Sequence, residues 1–157
     1  MVESLCQTFG TFLCKLDNTD YYSFPSIEKL AENNVEAQLK DLSFGYRARS
    51  IQKSAHQIIS SHSPDWLHSL RNCSYEEAKT ALIKLPGVGR KVADCVCLMS
   101  LDKTEAVPID THVEQIAKRD YSFVAGKGQK TLTDKVYNEI GNFFRNLWGS
   151  HAGWAQS

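Results

Sequence analysis

The chain lacks net charge, long apolar runs and paired cysteines, and each absence removes a class of protein. Lysine plus arginine total 18 and aspartate plus glutamate also total 18, so composition offers no general attraction to nucleic acid. Any such binding must come from locally clustered cations, with the acidic residues segregated elsewhere. No apolar stretch approaches the ~20 residues that span a bilayer, and nothing at the start reads as a secretory leader. The expectation is a soluble chain with no membrane partner and with reduced thiols. Five cysteines, at 6, 14, 73, 95 and 97, form an odd set without the paired CxxC spacing of a zinc site, which argues against a metal cluster. No segment alternates as a half-buried strand would, and no internal repeat is present.

What is present is a helical pattern. With 157 residues and 42% hydrophobic content, the chain can bury a core of its own as one small domain. Apolar residues at 2, 5, 9, 12, 13 and 16 predict a helix over 2–16. Ser26, after Pro25, opens a short helix. Further helices are predicted over 35–42, 46–60, 65–71 and 74–85, the last with Ser74 and Glu77 at capping-box spacing. Two more cover 90–101 and 111–119. Residues 122–129, with Gly126-Lys127-Gly128, read as a loop before a final helix over 131–148. The predicted class is all-α.

Leu85-Pro86-Gly87-Val88-Gly89-Arg90-Lys91 is a hairpin between two of these helices. Gly87 and Gly89 lack a Cβ, so they can take positive φ and admit another backbone closely. The N–H groups that open the second helix, with its positive dipole end, favour an anion such as a phosphate. Such contacts hold a strand without reading its sequence. On the turn alone, an ordinary glycine-rich helix connection explains the residues as well.

Lys91 falls in the first turn of that helix, where a cation is disfavoured by the dipole. Arg90, the helix start and apolar Val88, Val92 and Ala93 all oppose its charged form, which predicts an amine lowered toward nucleophilic use. A solvated lysine that touches phosphate is the alternative. Asp110, in Pro108-Ile109-Asp110-Thr111-His112, is a natural N-cap for the helix that follows. The same position keeps a carboxylate ionised, as stabilisation of an oxocarbenium-like transition state requires. Cys95 and Cys97 lie in an apolar helix where free cysteine behaves as a small hydrophobe. Tyr46 reads as a packing aromatic or an exposed contact, and Arg47 with Arg49 as a solvated face or a DNA contact. Gln156, one residue from the end, carries no signal by itself. The basic set available for DNA is Arg47, Arg49, Lys53, Lys79, Lys84, Arg90 and Lys91, and binding through it should be salt-sensitive.

The hairpin with Lys91, Cys95-Val96-Cys97 and Val107 to His112 resembles the helix-hairpin-helix DNA glycosylase superfamily, and within it the eukaryotic 8-oxoguanine DNA glycosylase family. Gly45-Tyr46-Arg47-Ala48-Arg49, Gly141-Asn142-Phe143-Phe144-Arg145-Asn146-Leu147-Trp148-Gly149 and Ala152-Gly153-Trp154-Ala155-Gln156 extend the likeness over nearly the whole chain. The missing four-cysteine iron–sulfur spacing of another branch agrees with this assignment. The resemblance implies base excision repair: removal of oxidised purine from damaged double-stranded DNA, then strand nicking by β-elimination. Lys91 would be the Schiff-base nucleophile and Asp110 its electrostatic partner. Cys95 would pack one side of the extruded base and Gln156 would bond its Watson–Crick edge. His112 would contact phosphate, Gly87, Val88 and Gly89 would grip the backbone, and Tyr46 and Arg47 would lie on the duplex side. No cofactor is required by the resemblance. A structural cation on the carbonyls of Ile83, Leu85 and Val88 is implied, as are a monomer and a nuclear or mitochondrial location. Residues 1–157 would form the glycosylase domain without the family's β-rich N-terminal domain, starting just after the segment that supplies an asparagine opposite the lesion and lacking the N-terminal backbone group that tells 8-oxoguanine from guanine. The aromatic residue that stacks on the flipped base would lie past Ser157. A non-catalytic DNA-binding module or an inactive truncated product is the alternative.

Overall fold

A computed structural model describes residues 1–124 and 132–156. Part of the 122–129 loop and the start of the predicted 131–148 helix lie outside the described residues. The chain divides into two compact units, residues 1–66 with 85–87, and residues 67–84 with 88 onward.

The first unit begins with α1 (Val2–Phe9), which turns Leu5 and Phe9 into the core and stops at Gly10. A Cβ on Gly10 would stand 2.0 Å from the Ser23 carbonyl oxygen, so glycine is needed for the chain to return past it. The predicted 2–16 helix is therefore too long. Residues 12–16 instead form β1 (Phe12–Leu16), paired antiparallel with β2 (Thr19–Tyr22), which corrects the expectation of no strand. Asp17 and Asn18 make the two-residue turn at φ 46° and 62°. Positive φ at both central residues suits the right-handed twist of a hairpin, and Asp and Asn tolerate it better than other non-glycine residues. The strands are almost wholly exposed, so they show none of the buried alternation that reveals a strand in sequence.

α2 (Ile27–Leu30) is capped by Ser26, whose hydroxyl accepts the Lys29 N–H at 3.3 Å. α3 (Val35–Asp41) ends in a Schellman arrangement: Phe44 N–H bonds Leu39 C=O and Ser43 N–H bonds Lys40 C=O, with Ser43 at φ 64°. Its apolar partners, Leu39 and Phe44, are both buried. This turn delivers the chain to α4 (Arg47–Ser61), and Val35, Ala48 and Ala55 complete the core.

In the second unit, α5 (Trp66–Ser69, begun in the first unit) and a 3₁₀ turn (Leu70–Asn72) lead to α6 (Tyr75–Ile83). Ser74 and Glu77 form the predicted capping box reciprocally. α7 (Arg90–Ser100), α8 (Thr111–Asp120) and α9 (Asp134–Trp148) follow, close to the expected bounds, before a second 3₁₀ turn (Gly149–His151) and α10 (Ala152–Gln156). The core gathers Val107, Ile109, Val113, Val136, Ile140 and Phe144. Gly153 packs where a Cβ would meet the Ala106 carbonyl oxygen at 2.2 Å and Leu98 Cδ1 at 2.6 Å. Apart from the small hairpin, the regular elements among the described residues are helices, as the all-α class requires.

Candidate active site

The turn after α6 is fixed on the first unit's side by α4. Ser54 donates its hydroxyl proton to the Pro86 carbonyl at 2.8 Å. Gly87 sits at φ +78°, and a Cβ there would lie 2.3 Å from Ser50 Oγ. Glycine is thus required twice, for its conformation and for the close approach. Gly89 differs from expectation: it is extended, at φ −89° and ψ 179°, so any residue can adopt its backbone. Space beside it is open. Gly89 is the N-cap of α7 and among the described residues no side chain caps the first turn, which leaves N–H groups of Arg90, Lys91 and Val92 for an outside acceptor.

Lys91 stands in that first turn with its side chain about half exposed, and its Nζ lies 3.3 Å from Asp110 Oδ2. Residues nineteen apart in sequence are thus brought into one ion pair. Asp110 is held in place by its own helix, because Oδ1 accepts the N–H groups of His112 and Val113, each at 3.0 Å. Cap and partner roles coexist on one carboxylate, one oxygen for each. The Val113 N–H above all, then the Lys91 ammonium and the His112 N–H, hold Asp110 below the usual carboxylate range against the opposing effect of burial. Such a group stays ionised and is a poor proton donor.

Arg90, the neighbour of Lys91, is engaged by α9. Its guanidinium lies 4.8 Å from the Tyr137 ring centre and pairs with Asp134. Cys95, one turn beyond Lys91, is half-buried, and burial pushes its thiol up, so it offers a neutral, polarizable surface rather than a thiolate. Cys97 is fully buried, with burial raising its thiol to about 12, and so takes the small-hydrophobe reading. His112 is exposed in the first turn of α8, and Gln156 ends α10 half-buried. In the first unit, Tyr46 is 81% exposed, which removes the packing reading, and the Arg47 guanidinium lies 5.1 Å from its ring centre.

Lys79 requires a correction. Placed among the DNA-facing cations on sequence, it is buried at 8% exposure with its Nζ 3.1 Å from Asp94 Oδ2. Asp94 is wholly buried and also receives the hydroxyl protons of Tyr75 and Tyr137. The sequence reading missed this cluster. Its one legible signal is a carboxylate inside the apolar run from Val92 to Met99, which a burial requires to be paired.

The model of the family described as HhH-GPD superfamily base excision DNA repair protein matches residues 1–141. The chain belongs to that family. Two curated relatives agree: the N-glycosylase/DNA lyase of Saccharomyces cerevisiae is 36% identical over 99% of this chain and 47% of its own length. The N-glycosylase/DNA lyase OGG1 of Arabidopsis thaliana is 39% identical over 96% of this chain and 41% of its own. Among solved structures, the 8-oxoguanine glycosylase/lyase of Clostridium acetobutylicum, in complex with dsDNA containing cytosine opposite 8-oxoG, superimposes with a TM-score of 0.80 at 28% identity, covering 99% of this chain and 49% of that one. This HhH-GPD chain therefore spans about half the length of the relatives it matches. Among the described residues no helix is long and apolar enough to cross a membrane.

Proposed function

We propose that this chain carries the chemistry of a bifunctional DNA glycosylase and abasic-site lyase acting on oxidised purine, 8-oxoguanine, in duplex DNA. The supporting observation is the Lys91 amine 3.3 Å from a carboxylate that its helix keeps ionised. After losing its proton, Lys91 Nζ forms a bond to the sugar C1′ while the C1′–base bond breaks and the base departs with that electron pair, to be protonated. Asp110 stabilises the positive charge that develops on the sugar as the bond stretches. Ring opening yields a protonated Schiff base on Lys91. Loss of a C2′ proton then expels the 3′ phosphate, which nicks the strand.

The remaining roles follow the same reading. The open first turn of α7 and the Gly87–Gly89 turn take a backbone phosphate, with His112 contacting a second. Cys95 and Gln156 meet the extruded base, while Tyr46 and Arg47 serve the duplex. A cation at the hairpin would be held by the carbonyl oxygens of Ile83, Leu85 and Val88, which are hard donors suited to a hard ion. Among the described residues no His/Cys/Asp/Glu group offers an alternative. It would steady the turn, and no chemical step passes through it.

The test is borohydride trapping on a duplex with a single 8-oxoguanine or abasic site. The chain should form a covalent adduct that Lys91→Gln abolishes while binding to uncleavable duplex persists. A folded, DNA-bound chain that never cross-links would overturn the enzymatic reading and leave a helix-hairpin-helix module that only grips DNA.

A further inference from the structure

The buried cluster beneath α7 reaches the active carboxylate through one hydroxyl. Tyr137, on α9 and 3% exposed, gives its proton to Asp94 Oδ2 and accepts the backbone N–H of Ile109 at 3.2 Å. Ile109 immediately precedes Asp110, and Asp94 lies three residues after Lys91 on the same helix. Tyr137 therefore links the backbone that carries the carboxylate to the helix that carries the amine. The hydroxyl's orientation is over-determined. Asp94 Oδ2 also accepts Lys79 Nζ at 3.1 Å beside the Tyr137 hydroxyl, Oδ1 accepts the Tyr75 hydroxyl at 2.7 Å, and Lys79 also donates to the Tyr75 hydroxyl at 3.0 Å. Burial first, and the Asp94 charge second, push the Tyr137 hydroxyl well above its usual range, so it remains a donor to Asp94 and leaves its lone pair for Ile109.

We infer that Tyr137 is a positioning residue, which sets the Asp110 carboxylate against Lys91 through the Ile109 N–H while the Asp94–Lys79–Tyr75 cluster locks its hydroxyl. Without that hydroxyl the Ile109 N–H is buried and unbonded, and the Ile109–Asp110 segment is free to shift. A displacement of order 1 Å at a reacting group lowers rates by roughly 10- to 100-fold. This inference rests on the lyase reading for its kinetic test, and a second measurement judges it independently of catalysis.

Tyr137→Phe keeps the ring in the core and removes only the hydroxyl. Single-turnover scission of an abasic duplex should slow by roughly 10- to 100-fold, with affinity for a tetrahydrofuran-site duplex held within about twofold. Tyr75→Phe removes a hydroxyl from the same aspartate without touching Ile109, and should slow scission less at a comparable loss of stability. Amide hydrogen exchange without DNA supplies the second measurement. Protection at His112 and Val113, whose N–H groups bond Asp110, should fall in Tyr137→Phe and persist in Tyr75→Phe. If the phenylalanine variant does not fold, 4-fluorophenylalanine at 137 fills the space with a feeble acceptor and takes its place. Unchanged scission together with unchanged protection overturns the inference. A wild-type chain that forms no adduct overturns the lyase reading alone, and exchange at His112 and Val113 then decides the role of Tyr137.

Discussion

Asp110 does two jobs that one substitution can separate. Oδ1 caps α8, and Oδ2 faces Lys91. Asn caps a helix about as well as Asp, so Asp110→Asn preserves the first job, whereas loss of a cap altogether costs about 0.5–2 kcal/mol. The ion pair with a half-exposed lysine adds only ~0–1 kcal/mol, since water screens it. Asp110→Asn should accordingly leave urea stability within about 1 kcal/mol of the wild type, and Asp110→Ala should fall further by about 1 kcal/mol. Catalysis should respond differently. Removing one preorganised electrostatic group from a reacting centre costs about 2.7–4 kcal/mol, or roughly 10²- to 10³-fold in rate. Both variants should lose that much in single-turnover scission of an abasic duplex and in borohydride trapping, while only Ala loses the cap. The acid limb of stability provides a check. Asp110 is held below its ordinary value in the fold, so its contribution is whole above about pH 4 and vanishes as pH falls through the lower folded value. Asn should flatten that part of the curve. If Asp110→Asn cleaves within about threefold of the wild type, the carboxylate is a helix cap and the electrostatic role is refuted.

Two further substitutions test the scaffold. Gly87→Ala places a Cβ 2.3 Å from Ser50 Oγ at a φ of +78°; it should lower stability by about 1–3 kcal/mol and weaken DNA binding with it, as denaturant melts and a binding titration would reveal. Lys79→Met leaves the fully buried Asp94 without its cation, so it should cost about 3–5 kcal/mol. The salt dependence of its DNA affinity should match the wild type, because a buried lysine contacts no phosphate; a slope reduced by about one would return Lys79 to the DNA face.

The features legible in sequence were those whose cause is local. Pro86 and two glycines between helical stretches mark the turn, Ser74 with Glu77 marks the start of α6, and Asp110 announces the cap of α8. Where the physics is non-local, the chain misleads. Phe12, Leu13 and Leu16 continue a helical stripe begun by Leu5 and Phe9, yet all three are exposed on a hairpin set by Gly10 and by Asp17-Asn18. Gly89 and Gly87 look alike in the motif, but only Gly87 faces a neighbour that forbids a side chain. Lys79 looks like any helical lysine until α7 supplies the carboxylate that buries it.

That burial bears on how the site is held. A buried ion pair is weak as a source of stability, because desolvation consumes most of its attraction, and an apolar replacement of equal volume often does as well. Its value here lies in what it fixes. Consecutive residues of an α-helix are rotated by about 100°, so a slip of one residue in the setting of α7 would swing Lys91 a quarter-turn away from Asp110. Apolar packing tolerates such adjustments more readily than a carboxylate that must meet two hydroxyls and an ammonium at once. Asp94 thus fixes the rotation of α7 from its buried side, and Tyr137 carries the same constraint across to Ile109. A half-exposed lysine and a partly buried cap are kept within 3.3 Å by a register set beneath them.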